Sequence, residues 1–480
     1  MRGAAAGACL AAALGLAGCM VGPKYSKPAA LTAPADAGRP APEFKEANGW
    51  KPSQPADGTL AQDWWQVFGN PELDGLEAQV DVSNQTLQAA EARFRQARAL
   101  VAESRAGLRP TLSTNPGIAT NRASSTVPGA QPSLGEYGNF VLPFDLSYEL
   151  DAWGRIRRSI AAARAGMQAT AADLATARLS AHAELAIDYF ELRSLDAQKQ
   201  VLERTLTVYQ KALDLNQNRL AGGLASGAEV AQARTQLEAT RAQSVDVGAA
   251  RAQFEHAIAT LAGRTPESLS LAEAPLASEP PAIPAGVPSQ LLERRPDIAA
   301  AERRMAAANE QIGIARAAFY PTLQITAAGG YQSGSIVDWF TWPSRFWALG
   351  PNALQTLFDA GRRRAASEAA TAGYDAAVAD YRQSALDAFR EVEDSLAALR
   401  VLERESSAQR AAVEAARHSL ELSMNRYTGG LVTYLEVVVA QSTALANERI
   451  EVDLQRRRMD ACVLLIKALG GGWDVTKLPT

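Results

Sequence analysis

Arg219-Leu220-Ala221-Gly222-Gly223-Leu224, continuing to Glu229-Val230, returns at an offset of 207 as Arg426-Tyr427-Thr428-Gly429-Gly430-Leu431, continuing to Glu436-Val437. Self-similarity at a near-constant distance marks a duplicated unit. Two further pairs keep almost the same offset. Arg109-Pro110-Thr111-Leu112 answers Tyr320-Pro321-Thr322-Leu323, and Asp151-Ala152-Trp153-Gly154-Arg155 answers Asp359-Ala360-Gly361-Arg362. Proline shows where the units end, because it breaks helix interiors. Of 24 prolines in 480 residues, seven lie between Pro23 and Pro55 and six between Pro266 and Pro288, while 154–265 and 352–478 hold none. The chain therefore divides into an extended tether (19–62), one repeat (63–265), a proline-rich linker (266–288) and a second repeat (289–480).

Each repeat reads helix, strand, loop, strand, long helix, turn, helix. After Gly154, apolar residues recur at heptad spacing through Ile156, Ile160, Ala163, Met167, Thr170 and Leu174, and after one shift through Leu202, Leu206, Tyr209, Leu213 and Leu220. This spacing predicts a helix over 155–221. At 1.5 Å per residue it is about 100 Å long, beyond any globular domain. Shorter helices are expected over 85–108 and 228–262. The clearest strand sets Leu142, Phe144, Leu146, Tyr148 and Leu150 against Asp145, Ser147, Glu149 and Asp151, a period of two. Its acids, Asp145, Glu149 and Asp151, are expected on one polar face. Leu323, Ile325, Ala327 and Tyr331 show a weaker alternation, and partner strands are expected near 111–121 and 347–358. The fold class is mainly α with a small β part.

Composition excludes several functions. Apolar content of 47% supports a core, and a net charge of −4 offers no reason for a nucleic-acid partner. No phosphate-binding loop, nucleophile elbow or paired metal-ligand motif occurs, and His182, His256 and His418 each stand alone in helical sequence. No enzymatic activity and no cofactor are expected, apart from a covalent lipid. That lipid belongs on Cys19. Residues 1–18 read as a signal peptide ending in Leu16-Ala17-Gly18 ahead of Cys19, a bacterial lipobox. Cys462, among apolar neighbours, reads as a small core residue.

After the signal peptide, no uncharged apolar run is long enough for a spanning helix. Strands in lipid must close into a barrel, and about four strands are too few to do so alone. A spanning barrel must then be shared among subunits. Tyr137, Phe140, Trp153, Trp339, Trp342 and Trp347 fit interfacial girdles, and equally the core of a soluble hairpin. Two arginine clusters, Arg155, Arg157, Arg158 and Arg362, Arg363, Arg364, open the long helices, where the helix dipole disfavours cations. Either lipid phosphates or the nearby Asp151 and Asp359 must offset them.

The lipobox, Asn70-Pro71-Glu72-Leu73, Arg294-Arg295-Pro296-Asp297-Ile298, Tyr320-Pro321-Thr322-Leu323, Glu149-Leu150-Asp151-Ala152-Trp153-Gly154-Arg155 and Arg426-Tyr427 with its Gly429-Gly430 turn together resemble the TolC-like outer-membrane factors of the NodT lipoprotein type. The resemblance covers nearly the whole chain after Cys19. It implies a homotrimer with a 12-stranded outer-membrane β-barrel above a long α-helical barrel. It also implies a periplasmic adaptor and an inner-membrane resistance-nodulation-division pump as partners, outer-membrane lipid as surroundings, and passive export of drugs or small molecules. Tyr427 and Glu229 match the family's periplasmic gate, Glu436 matches a second acid, and Val439 stands where many relatives carry an aspartate. Ser226–Glu229 and Thr433–Glu436 also have the spacing of helix capping boxes. The rival readings are the duct of an ATP-driven type I system and a lipid-anchored periplasmic coiled-coil scaffold without a pore.

Overall fold

A computed structural model describes residues 20–27, 63–122, 124, 135–276, 279–281 and 294–479. Cys19, the signal peptide, most of the tether and part of the linker lie outside the described residues. The first repeat runs α1 (Pro71–Ser83), α2 (Gln85–Ala106), β1 (Thr111–Ser113), β2 (Gly117–Arg122), β3 (Glu136–Leu150), α3 (Arg155–Ala221) and α4 (Gly227–Leu261). The second runs α5 (Pro296–Ala317), β4 (Thr322–Ser333), β5 (Arg345–Leu354), α6 (Arg362–Thr428) and α7 (Tyr434–Ala468). Both long helices have 67 residues, both return helices 35, and α2 and α5 22 each, so the duplication holds at the level of whole elements.

Glycine ends these helices for a physical reason. Gly223 and Gly430 sit at φ of 67° and 72°, where an L side chain is strained. The amides of Leu224 and Leu431 reach back to the carbonyls of Arg219 and Arg426 at 2.7 and 2.9 Å, satisfying groups the helix leaves orphaned. The two-glycine repeats are thus hairpin turns between long helices. The heptad seam packs as expected at Ile156, Met167, Leu202, Tyr209 and Leu213, but Leu220 is 42% exposed at the tip.

The largest core lies part-way down the long helices, where Trp64, Phe68, Leu73, Leu185, Phe190 and Ile466 pack together. Cys462 lies there, 1% exposed, and burial pushes its thiol up to about 12, so it behaves as an apolar filler. Among the described residues no helix is long and apolar enough to cross a membrane.

The strands form one antiparallel sheet in the order β1/β2, β3, β4, β5. The expected strand near 111–121 is split, since β1 and β2 pair with successive stretches of β3. Pro116 interrupts it, having no N–H for the ladder. The last strand ends at Leu354 rather than reaching 358.

Candidate functional site: the sheet and the helix tip

Register sorts the sheet into two chemically distinct faces. Leu112, Leu146, Ala327 and Leu349 form one cross-strand row, and Phe144, Gly329 and Trp347 another on the same face. The opposite face carries Ser113 beside Asp145, the row Thr111, Ser147 and Thr326, and the row Glu149, Gln324 and Asn352. Much of the apolar face is bare: Leu112, Trp347 and Leu349 are 69%, 82% and 68% exposed. Both outer edges, on β1/β2 and on β5, have no strand partner among the described residues. A sheet with one apolar face, one polar face and two open edges is incomplete by itself.

The three expected lumen acids do not stay together. Asp145 keeps its place on the polar face and has no ion-pair partner among the described residues. Glu149 is held by Arg155 through two bonds of 2.9 and 2.7 Å. Asp151 lies beyond the strand end, so its expected place on the lumen face is corrected. Its carboxylate accepts from the backbone amides of Ile156 and Arg157, both at 2.9 Å, and from Arg157 Nε at 3.0 Å. The second repeat copies this junction, with Asp359 holding Arg363 Nε at 2.6 Å. Gly154 and Gly361, at φ of 79° and 88°, let the chain turn from strand into helix there. Arg158 pairs with Glu310 at 2.8 Å and Arg364 with Glu368 at 2.9 Å. Acids of the same chain therefore pair with five of the six arginines of the two clusters.

At the opposite end, the last turns of α3 and α6 meet. Tyr427 is 1% exposed and packs with Tyr209, Leu213, Leu237, Tyr434 and Val437. Its hydroxyl donates to Asn216 Oδ1, so the expected bond to Glu229 is not made within the chain. Glu229 instead accepts from the Ser226 amide at 2.7 Å, while Ser226 Oγ accepts from the Glu229 amide at 3.3 Å, a complete capping box. Glu229 is still close enough that, after burial, its charge helps hold the Tyr427 hydroxyl above its ordinary value. Arg219 stacks on the Tyr427 ring at 4.6 Å and donates to the Tyr427 carbonyl at 3.2 Å. The second capping box does not form. Thr433 offers no side-chain cap, and Glu436 pairs with Arg426 at 2.8 Å. Val439 is 58% exposed on the tip surface.

The profile described as outer membrane efflux protein matches residues 78–264 and 287–471. The chain belongs to the outer membrane efflux protein family. A toluene efflux pump outer membrane protein, TtgF of Pseudomonas putida, is 34% identical over 97% of this chain and 96% of its own. The pyoverdine export outer membrane protein OpmQ of Pseudomonas aeruginosa is 33% identical over 87% of this chain and 89% of its own. The solved outer-membrane channel OprN superposes with a TM-score of 0.86 at 28% identity, covering 95% of this chain and all of its own. This efflux protein is accordingly an outer-membrane channel component of an efflux system, and it extends into the periplasm. The family is one of transport components.

Sequence reading missed the groups that hold the middle of this efflux protein together. Glu72, in the Asn70-Pro71-Glu72-Leu73 motif, receives the Arg193 guanidinium and, at 2.9 Å, the Tyr189 hydroxyl, while Asn70 caps α1. Arg193 also donates to Asp196 at 2.8 Å, and Asp196 receives Arg251 at 2.7 Å. Nothing in the sequence joins residues 72, 193 and 251. Asn216 was missed as well, although its place as a polar residue on the apolar seam between Leu213 and Leu220 could have marked it.

Nearby, His182 is a packing histidine. It is 3% exposed, stacks on Trp65 at 4.4 Å and bonds Glu77 at 2.6 Å. Burial pushes the Glu77 carboxyl up to about 7 against the pull of His182, with Asp81 and Asp74 adding to the rise. Burial likewise raises Asp188 to about 6 and Asp460 to about 7. Each folded-state value lies above the ordinary one, so the folded chain keeps protons that the unfolded chain releases. Stability from these groups is present at acid pH and is lost as pH rises through the folded values. Melting temperature is expected to fall between about pH 5 and about pH 8, with a shallower fall in Glu77→Gln. An unchanged slope in that variant would remove Glu77 from the account.

Proposed function

We propose that three copies of this efflux protein close their sheets into one 12-stranded barrel and act as the passive exit duct of a tripartite pump. A periplasmic adaptor and an inner-membrane resistance-nodulation-division pump would supply cargo and energy. Toluene, an apolar hydrocarbon named for TtgF, and pyoverdine, named for OpmQ, share no common polarity, which fits a duct that leaves cargo selection to the pump. The observation that carries this reading is the two-faced sheet, open at both edges and continuous with helices of 67 residues. Edge-to-edge pairing of copies removes the open edges, turns the apolar face to lipid and the polar face to a lumen. The tip would close the tube at rest, with Tyr427 as the central side chain and Glu229, Glu436 and Val439 around it.

Planar-bilayer recording of the purified protein tests this directly. Discrete conductance steps from a trimeric species support the duct, whereas a trimer or monomer without conductance supports a periplasmic scaffold. Asp145 is expected to give the pore a cation preference, because clustered charge of one sign concentrates counter-ions. Asp145→Asn should weaken it. An anion preference in the wild-type channel would place Asp145 away from the lumen.

We also propose Cys19 as the site of a lipid anchor. The residues just after it support this. The Val21 amide donates to the Trp153 carbonyl at 3.2 Å, Arg158 to the Pro23 carbonyl at 3.2 Å, and the Tyr25 hydroxyl to Glu302 at 2.5 Å. This run begins at the strand-to-helix junction, level with the membrane's periplasmic face. Cys19→Ala is expected to abolish incorporation of labelled fatty acid, while the barrel still inserts, since one anchor is minor beside twelve strands. Label retained in that variant would sink the assignment.

A further inference from the structure

The far end of the sheet from the helices carries a cation that the channel reading does not use. Leu142, Tyr331 and Arg345 stand side by side on the apolar face. Among the described strand residues of that face, Arg122 and Glu136 pair at 3.5 Å, while Arg345 has no carboxylate within ion-pair distance. Its guanidinium lies 3.5 Å from the Trp342 ring centre and 5.9 Å from that of Tyr331. Residues 334–344, which join β4 to β5, fold back onto this same face. Trp339 packs on Phe140 at 5.7 Å and Phe340 on Tyr331 at 5.6 Å. The outermost groups, Val337 and Trp342, are 84% and 75% exposed.

Height places this cluster. The lower aromatic contact is Trp153 stacked on Tyr320 at 4.8 Å, beside the helix junction. From Tyr320 to Tyr331 the strand climbs about 37 Å along its axis, or about 28 Å of height at a tilt of about 40°. That is close to the roughly 25 Å apolar band of outer-membrane barrels. Arg345 therefore stands at the outer-leaflet headgroup plane. An arginine on the lipid face is costly at mid-membrane and nearly free of cost at that plane. A guanidinium stacked on an aromatic ring has fixed direction, and its fork matches two phosphate oxygens.

We propose that Arg345, walled by Trp342 and Tyr331, binds the phosphate of a phosphorylated outer-leaflet glycolipid of the lipid A class, whose acyl chains run down the exposed apolar face. The proposal rests on the outer-membrane channel reading, since it needs the sheet inserted with this end outward.

Full-length protein in detergent, mixed with diphosphoryl lipid A and analysed by native mass spectrometry, tests it. Wild-type trimers are expected to retain lipid A. Arg345→Gln should retain about tenfold less, the loss of one charge-assisted contact, and Arg345→Lys an intermediate amount. Dephosphorylated lipid A should be retained by all three only at the low level of Arg345→Gln. Equal retention by wild type and Arg345→Gln overturns the proposal. So does displacement of lipid A by inorganic phosphate at equal concentration, which would mean a free-anion site. So does a lower trimer-to-monomer ratio of Arg345→Gln than of wild type in lipid-free detergent, which would mean that Arg345 pairs with an acid of a second copy. Conductance of the same samples separates the two readings: pores without lipid A retention defeat this proposal alone, and absence of pores defeats the channel.

Discussion

Arg193→Ala is expected to destabilise the protein by about 3–5 kcal/mol, as removal of one partner from a buried ion pair does. Arg193 and Asp196 have side chains 3% and 1% exposed, so Asp196 is left with Arg251 as its remaining cation. The variant also strips Glu72 of its guanidinium and the Ala272 carbonyl of a donor at 2.6 Å. These contacts tie α1, α3, α4 and the segment after α4 into one body, so the loss should appear in thermal unfolding and in trimer yield. Arg193→Lys keeps the charge but not the fork, and should recover only part of it. A melting temperature for Arg193→Ala equal to wild type would show that the network contributes nothing net to stability.

Tyr427→Phe is expected to raise single-channel conductance and the leakage of large antibiotics. The change leaves ring packing on Tyr434 and Arg219 intact and removes only the hydroxyl. Asn216 is fully buried, so its orphaned oxygen then costs about 1–3 kcal/mol in the closed arrangement. Three symmetric copies would add that bias. Asn216→Ala should open the tip to a similar degree. Glu229→Gln should have a smaller effect, because its carboxylate is engaged in a helix cap worth about 1 kcal/mol. Conductance that is unchanged in Tyr427→Phe but raised in Glu229→Gln would shift closure from the bond within one chain to a contact between subunits.

What could be read ahead of the fold was whatever depends on neighbours along the chain. Heptad spacing and the absence of proline defined a helix over 155–221, and the helix spans those residues. The paired Gly-Gly turns marked both hairpins, since only glycine takes up the positive φ found at Gly223 and Gly430 without strain. A period of two sorted the sheet faces correctly from Leu142 to Leu150. It failed one residue later. Asp151 continues the alternation in sequence, yet the backbone has already turned and the carboxylate caps α3 instead.

The choice of partners distant in the chain was legible only from the tertiary structure, whereas the local pairs of Asp151 with Arg157 and Asp359 with Arg363 were expected from the sequence. Glu229 acts on the Tyr427 hydroxyl only through its charge, since Asn216 from another helix presented an acceptor while Glu229 was committed to its own helix start. The first-repeat arginines divided in the same way, Arg157 taking a local acid and Arg158 taking Glu310 from another element. By itself the sequence determined the elements, their lengths, the duplication and the two-faced strands, because backbone preference and periodicity act over a few residues. Which acid meets which cation, and which hydroxyl is held at the tip, was decided by packing. Hydrogen bonds and ion pairs are directional contacts of about 3 Å, and only the assembled helices bring residues more than a hundred positions apart within that distance.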